Sequence, residues 1–171
     1  MSSSLSERIG GILVAPVSTL RELVRQPGGR GASDVALLIA ARLIAGETPR
    51  LLRAIFRGID LGAGAGVSGV INALLTIAPD VIAILVASML LSVLAGRRAK
   101  GTQEADPLDV AAYAWVPYLT VQLASALLFT LRGHPPSTTH ETIILGVALA
   151  WSFVVWSAGL WVLRDARKQV A

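Results

Sequence analysis

A run of 36 residues, Leu61 to Gly96, constrains the fold of this chain more than any other feature, because its only charged residue is Asp80. A straight α-helix of that length would span about 54 Å, whereas the hydrocarbon core of a bilayer is about 30 Å thick. The run is therefore too long for one straight crossing. Either the chain turns at Ala78-Pro79-Asp80 and makes two short crossings, or one crossing carries an extra, broken or interfacial segment on its N-terminal side.

Composition indicates the class of protein. Hydrophobic residues make up 54% of the 171, and the mean hydropathy is +0.66, which leaves too little polar surface for a soluble domain. The sequence predicts an all-α, polytopic membrane helix bundle. We interpret the net charge of +4 as Lys and Arg kept on the cytoplasmic side, and we expect no nucleic-acid partner. The chain has no Cys, which excludes disulfides and thiolate metal sites.

Residues 1–31 are predicted to form an amphipathic interfacial segment, and residues 32–171 the transmembrane bundle. Ser4 and Glu7 have the spacing of a capping box at the start of a helix that Pro16 interrupts. A signal peptide is disfavoured, because the apolar run from Ile9 to Val17 is short, contains two Gly and a Pro, and follows Glu7-Arg8. Two placements remain open for this segment. It lies on the membrane, with Arg21 and Arg25 reaching anionic head groups, or its short helices pack against the end of the bundle.

The first crossing is predicted from Val35 to about Phe56, with Ser33-Asp34 as its N-terminal cap. Its Arg42 is expected to face the bundle interior, because an Arg near the bilayer centre costs about 2.5 to 3.5 kcal/mol. This Arg either contacts an ion or substrate, or forms a structural pair with Asp80 or Glu47, or snorkels. Pro49 should kink or end the buried part of the helix.

Polar residues recur every fourth position along the long apolar run, which predicts a stripe that lines a water path or forms hydrogen bonds across helices. The predicted intramembrane polar residues are Arg42, Asn72, Thr76, Asp80 and Gln122.

Small residues near the start of the same run would let another helix approach closely, and these are Gly62, Gly66 and Gly69. Two further charge-free crossings are predicted, from Val110 to Leu131 and from Thr142 to Leu163. Kinks are expected at Pro79 and Pro117, in addition to Pro49. Trp161 suits an anchor at the membrane interface.

Basic residues favour four crossings over five. Four crossings place ten Lys and Arg residues on one side and four on the other, whereas five crossings give nine and five. The sequence therefore predicts four transmembrane helices, possibly five, with both termini in the cytoplasm.

The order of features from Pro16 onward resembles the Ypt-interacting protein (Yip) domain family, in particular its short bacterial members. The stretches that carry the resemblance are Ala15 to Leu20, Pro49 to Arg53, Ile77-Ala78-Pro79, Gly96-Arg97-Arg98, Leu108 to Pro117, and a Trp-rich final span ending at Arg164-Asp165.

The resemblance implies a small multi-span protein, usually described with five spans, whose eukaryotic relatives bind Rab-type GTPases in vesicle traffic. For bacterial members it supplies no biochemical role. This chain lacks the Asp-Leu-Tyr-Gly-Pro motif of the eukaryotic members, and it has Ala112 where a Gly often precedes the Tyr. We therefore do not extend Rab binding to it.

The sequence predicts no catalytic residue, cofactor or metal site, because both His residues lie in one loop, the spans hold at most one Asp, and metal-ligand spacing is absent. The leading hypothesis is a non-enzymatic protein of a bacterial inner membrane that contacts lipids and associates with other membrane proteins or itself. It would be an accessory subunit or a membrane-organisation factor. The alternative is a small transporter or channel subunit built around Asp80 and Arg42.

Overall fold

The computed structural model describes residues 4–25, 30–56, 63–96, 106–132 and 138–168, and within these ranges it is helical, without a strand. The helices are α1 (Leu5–Val14), α2 (Pro16–Arg25), α3 (Gly31–Phe56), α4 (Ala63–Leu94), α5 (Pro107–Arg132) and α6 (Thr138–Lys168). The prediction of an all-α chain is confirmed.

Three helices in the described part of the chain are long and apolar enough to cross a membrane. They are Leu74–Leu94, Pro107–Leu128 and Thr138–Lys168, of 21, 22 and 31 residues. Helix α3, the predicted first crossing, is not among these three. These three helices indicate a membrane-embedded helical protein, whereas the exact number of crossings stays a prediction.

Helix α4 passes through Pro79 without a break. The turn at residues 78–80, which would have produced two short crossings, is therefore wrong. A proline inside a helix loses one backbone hydrogen bond and costs about 3 kcal/mol. Helices α3 and α5 likewise continue through Pro49 and Pro117, and kinks at the three prolines stay predictions.

Helix α5 lies at the centre of the bundle, in contact with α1, α3, α4 and α6. Its first half is buried on most sides, with Tyr113, Val116 and Leu119 in the core. Helices α4 and α6 instead present large apolar side chains outward, among them Met89 and Phe153. A helix that is apolar all round, with its outward side chains exposed, fits a lipid environment.

Helices α1 and α2 pack against the bundle. The predicted capping box is present: the Ser4 hydroxyl accepts from the Glu7 N–H at 3.3 Å, and the Glu7 carboxylate accepts from the Ser4 N–H at 2.7 Å. Ile12 of α1 and Leu20 of α2 are fully buried, and the two helices contact α5 and α6 respectively. The structure thus has the packed arrangement, and a membrane-surface location for this segment stays a prediction.

One end of the bundle brings the ends of α4 and α6 together. Gly96, with φ of +86°, follows the last turn of α4 in the left-handed conformation that glycine tolerates. Arg164 Nε donates to the Leu94 carbonyl at 2.9 Å, and Arg167 donates to the Gly96 carbonyl. These contacts place positive charge at the negative end of the α4 dipole, and they show that α4 and α6 run in the same direction.

Candidate functional site

A buried charge cluster joins three helices at this end of the bundle. Arg8 of α1 donates from Nε and Nη2 to the two oxygens of Asp34 in α3, at 2.7 and 2.8 Å. Tyr113 of α5 donates its hydroxyl to Asp34 Oδ2 at 2.6 Å. Arg8 is 7% exposed and Asp34 is 4% exposed. The two-pronged guanidinium–carboxylate geometry is the strongest form of such a pair, and here it fastens α1 to the bundle.

The cluster stays charged over a wide pH range. Burial alone would raise the pKa of Asp34, but the hydrogen bonds from Arg8 and Tyr113 outweigh it, so the pKa lies below its ordinary value. The hydrogen bond to Asp34 likewise raises the pKa of Arg8. Both members of the pair are therefore charged at neutral pH.

The starts of α3 and α5 are held against each other beside this cluster. The Asp109 carboxylate, which is buried, accepts from the Ala32 N–H at 2.9 Å. A Cβ atom at Gly31 would lie 2.4 Å from the Asp109 carbonyl oxygen, so the close approach requires glycine. The predicted Ser33-Asp34 cap is wrong: α3 begins at Gly31, and Asp109 supplies an acceptor for its first turn.

A second charge cluster lies deeper, where α3, α4 and α5 meet. Arg42 donates through Nη1 to Asp80 Oδ2, and Trp115 donates its indole N–H to Asp80 Oδ1 at 3.2 Å. Arg42 lies eight residues beyond Asp34 in α3, a distance of about 12 Å along the helix axis. Of the five predicted intramembrane polar residues, the structure brings Arg42 and Asp80 into direct contact.

The other predicted polar residues do not join this pair in the contacts described. The Thr76 side chain is exposed on α4, one helical turn before the buried Asp80. Gln122 has a buried side-chain oxygen without a hydrogen-bond partner in the described part of the chain. The Asn72 side chain lies outside what the structure describes.

The predicted packing and interface residues are placed only in part. Gly66 and Gly69 lie in the helical backbone of α4, Gly62 lies outside the described residues, and close helix packing at these glycines stays a prediction. Two predicted interface residues meet: the Arg21 guanidinium carbon lies 4.6 Å from the ring centroid of Trp161, as in a cation–π contact. The Arg25 side chain is outside the described part.

An apolar groove of about 630 Å³ runs between α4, α5 and α6. Trp115, Phe153 and Trp156 contribute aromatic rings to it, and Pro79 lies at the end nearer the Arg42–Asp80 pair. Trp156 is fixed in place, because its indole N–H donates to the Ala87 carbonyl at 3.3 Å. Ser152, which is 3% exposed, adds a hydroxyl to this apolar lining. The groove can hold an apolar molecule.

Sequence reasoning missed the Arg8 cluster, because its members lie far apart in the chain and a local rule assigned Asp34 to a helix cap. One signal was present in the sequence. Arg8 lies three residues after Leu5 and four before Ile12, so it shares the apolar face of α1. A charge on a buried face requires a buried partner.

Apolar crossing helices with internally paired charges define a helical membrane protein. The family model for the Yip1 domain matches residues 10–171, nearly the whole chain, and the protein belongs to the Yip1 domain family. This is a family of non-enzymatic membrane proteins, and the resemblance seen in the sequence is confirmed. No match was found among curated proteins or among solved structures.

Proposed function

We propose that this protein is non-catalytic and acts by association with other membrane proteins, as an accessory subunit of a membrane complex or a membrane-organisation factor. The observation that carries the proposal is the state of the buried carboxylates in the described part of the chain. Asp34, Asp80 and Asp109 each accept hydrogen bonds from other helices. A carboxylate bound in this way stabilises the bundle and is not free to act as a general base or nucleophile.

The face of α4 that carries Gly69 is the proposed contact surface for a partner helix. Thr76 lies seven residues after Gly69, two helical turns along the same face, and its side chain is exposed. Small residues allow close backbone approach between two helices. In this proposal the protein lies in a bacterial inner membrane with both termini in the cytoplasm, and Arg21 and Arg25 contact lipid head groups.

Site-specific photo-crosslinking in native membranes tests the proposal. A photoreactive residue at Thr76 should give one discrete crosslinked product, whereas the same residue at Met89, which is 70% exposed on another face of α4, should not. Gly69→Leu should remove the product from position 76. Matching products from both positions, or none from position 76, would contradict the proposal.

A transport role is a second candidate, and the unpartnered Gln122 oxygen near the bundle interior favours it. A buried polar atom without a partner in the described structure is typical of a site that binds water or an ion. In reconstituted vesicles, Asp80→Asn should abolish any flux carried by this route. Flux that does not respond to Asp80→Asn or to Gln122→Leu would exclude both residues from a pathway.

A further inference from the structure

We propose that the groove between α4, α5 and α6 binds a lipophilic molecule bearing one oxygen, and that the Ser152 hydroxyl forms a hydrogen bond with this oxygen. The proposal does not depend on the association described above, because the groove lies on a different part of α4 from Gly69.

The size and lining of the groove fit a small apolar ligand. Its volume of about 630 Å³ falls within the range of about 300 to 1,000 Å³ for small-molecule sites. At about 30 Å³ for a water-sized group, it accommodates about twenty non-hydrogen atoms. Such sites combine an apolar, aromatic lining with few polar groups. Here the aromatic rings come from Trp115, Phe153 and Trp156.

The Ser152 hydroxyl points to the chemistry of the ligand. Ser92, Thr120 and Ser157 each donate to the backbone carbonyl four residues earlier, which is how a hydroxyl in an apolar helix normally finds a partner. Ser152 lines the groove and has no hydrogen-bond partner within the described residues. A buried hydroxyl without a partner is costly. The Ser152 oxygen is covered by neighbouring atoms in this structure, and rotation of the side chain about χ1 would bring it to a ligand oxygen in the groove and remove that cost.

Access and depth favour a molecule dissolved in the bilayer. Ile82 and Phe153 at the groove are 59% and 65% exposed on the outward side, so the groove opens toward lipid. Ser152 lies twelve residues before Arg164 in α6, about 18 Å from that end of the bundle. A phospholipid with its head group at that end would place hydrocarbon at Ser152. The ligand therefore carries its oxygen near the middle of the membrane.

Two brominated probes that differ by one oxygen, bromohexadecanol and bromohexadecane, test this proposal in detergent micelles. Bromine quenches tryptophan fluorescence at short range, so a Trp151→Phe/Trp161→Phe background leaves the groove residues Trp115 and Trp156 as reporters. Bromohexadecanol should quench at a concentration about threefold to tenfold lower than bromohexadecane, the difference expected for one hydrogen bond in an apolar site. Ser152→Ala should remove that difference.

Two further variants locate the binding. Ala83→Phe places a ring in the groove and should prevent quenching by both probes, whereas Met89→Phe on the lipid-facing side should leave it unchanged. Equal quenching by the two probes in the unmodified groove would overturn the proposal and indicate ordinary acyl-chain partitioning. Quenching that persists in Ala83→Phe would also overturn the proposal. A partner helix that crosslinks in the groove and protects both Trp reporters from quenching would overturn it as well.

Discussion

The buried cluster of Arg8, Asp34 and Tyr113 gives the sharpest prediction for stability. Asp34→Ala removes the acceptor of three hydrogen bonds, at 2.6, 2.7 and 2.8 Å, and leaves the Arg8 guanidinium charged in a site where that residue is 7% exposed. Breaking a buried ion pair by removing one partner costs about 3 to 5 kcal/mol. We therefore expect the free energy of unfolding to fall by about that amount.

Two companion variants separate the ionic pair from the hydroxyl. Tyr113→Phe loses one hydrogen bond to a charged group and should cost about 1.5 to 3 kcal/mol. The double variant Arg8→Met/Asp34→Leu removes both charges together, and it should recover most of the stability lost in Asp34→Ala, since an apolar pair can replace a buried ion pair at little cost.

Unfolding in mixed micelles, followed by circular dichroism during titration with a denaturing detergent, measures these differences. Ser33→Ala is the matched control, because Ser33 is next to Asp34 but exposed, and it should change the free energy of unfolding by at most about 0.5 kcal/mol. If Asp34→Ala were no more destabilising than Ser33→Ala, the cluster would not hold α1 to the bundle.

Three further predictions use the same unfolding titration. Gly31→Ala places a Cβ atom 2.4 Å from a backbone carbonyl oxygen of α5 and should lower the free energy of unfolding by about 1 to 3 kcal/mol. Gly46→Ala is the control, because a Cβ atom there meets nothing within 4 Å. Equal effects of the two variants would contradict the close approach of α3 and α5. Because the pKa of Asp34 is lowered on folding, its contribution is complete above the ordinary carboxyl pKa of about 4 and is lost as the pH falls through its lower folded pKa. Asp34→Asn should therefore weaken the acid dependence of unfolding, and an unchanged dependence would refute this. Arg42→Met should lower the free energy of unfolding by about 3 to 5 kcal/mol, because it leaves Asp80 buried without its cation. The double variant Arg42→Met/Asp80→Leu should recover much of this loss. An unchanged free energy of unfolding in Arg42→Met would show that the pair is not structural.

Local patterns in the sequence were sufficient to predict helices at the places of α1, α2, α3, α5 and α6. The capping box at Ser4 and Glu7 and the length of the apolar runs depend on neighbouring residues, and the structure has helices at these places. Arg42 and Asp80 were recognisable as candidates for a structural pair, because a charge in an apolar helix is costly unless another charged or polar group pairs with it.

Contacts between distant parts of the chain were not predictable from these patterns. Asp34 has the residue type and position of a helix cap, but tertiary contacts decide its role, and its partners lie 26 and 79 residues away. The continuation of α4 through Pro79 was equally open, because a proline beside a carboxylate is compatible with a turn or with a helix interior. The surroundings of Pro79 and Asp80 in the folded protein stabilise the helix at this point, and the identities of these two residues alone do not determine it.

The accessibility of residue 78 from each side of the membrane tests the central claim most directly. This claim is that α4 crosses the membrane as one helix, with the Arg42–Asp80 pair inside the bundle. The chain has no Cys, so Ala78→Cys and a control, Lys168→Cys at the end of α6, each give a single thiol. Labelling with a membrane-impermeant thiol reagent in intact cells and inverted vesicles should reach position 168 from one side and position 78 from neither. Ready labelling at position 78 from either side would contradict the account.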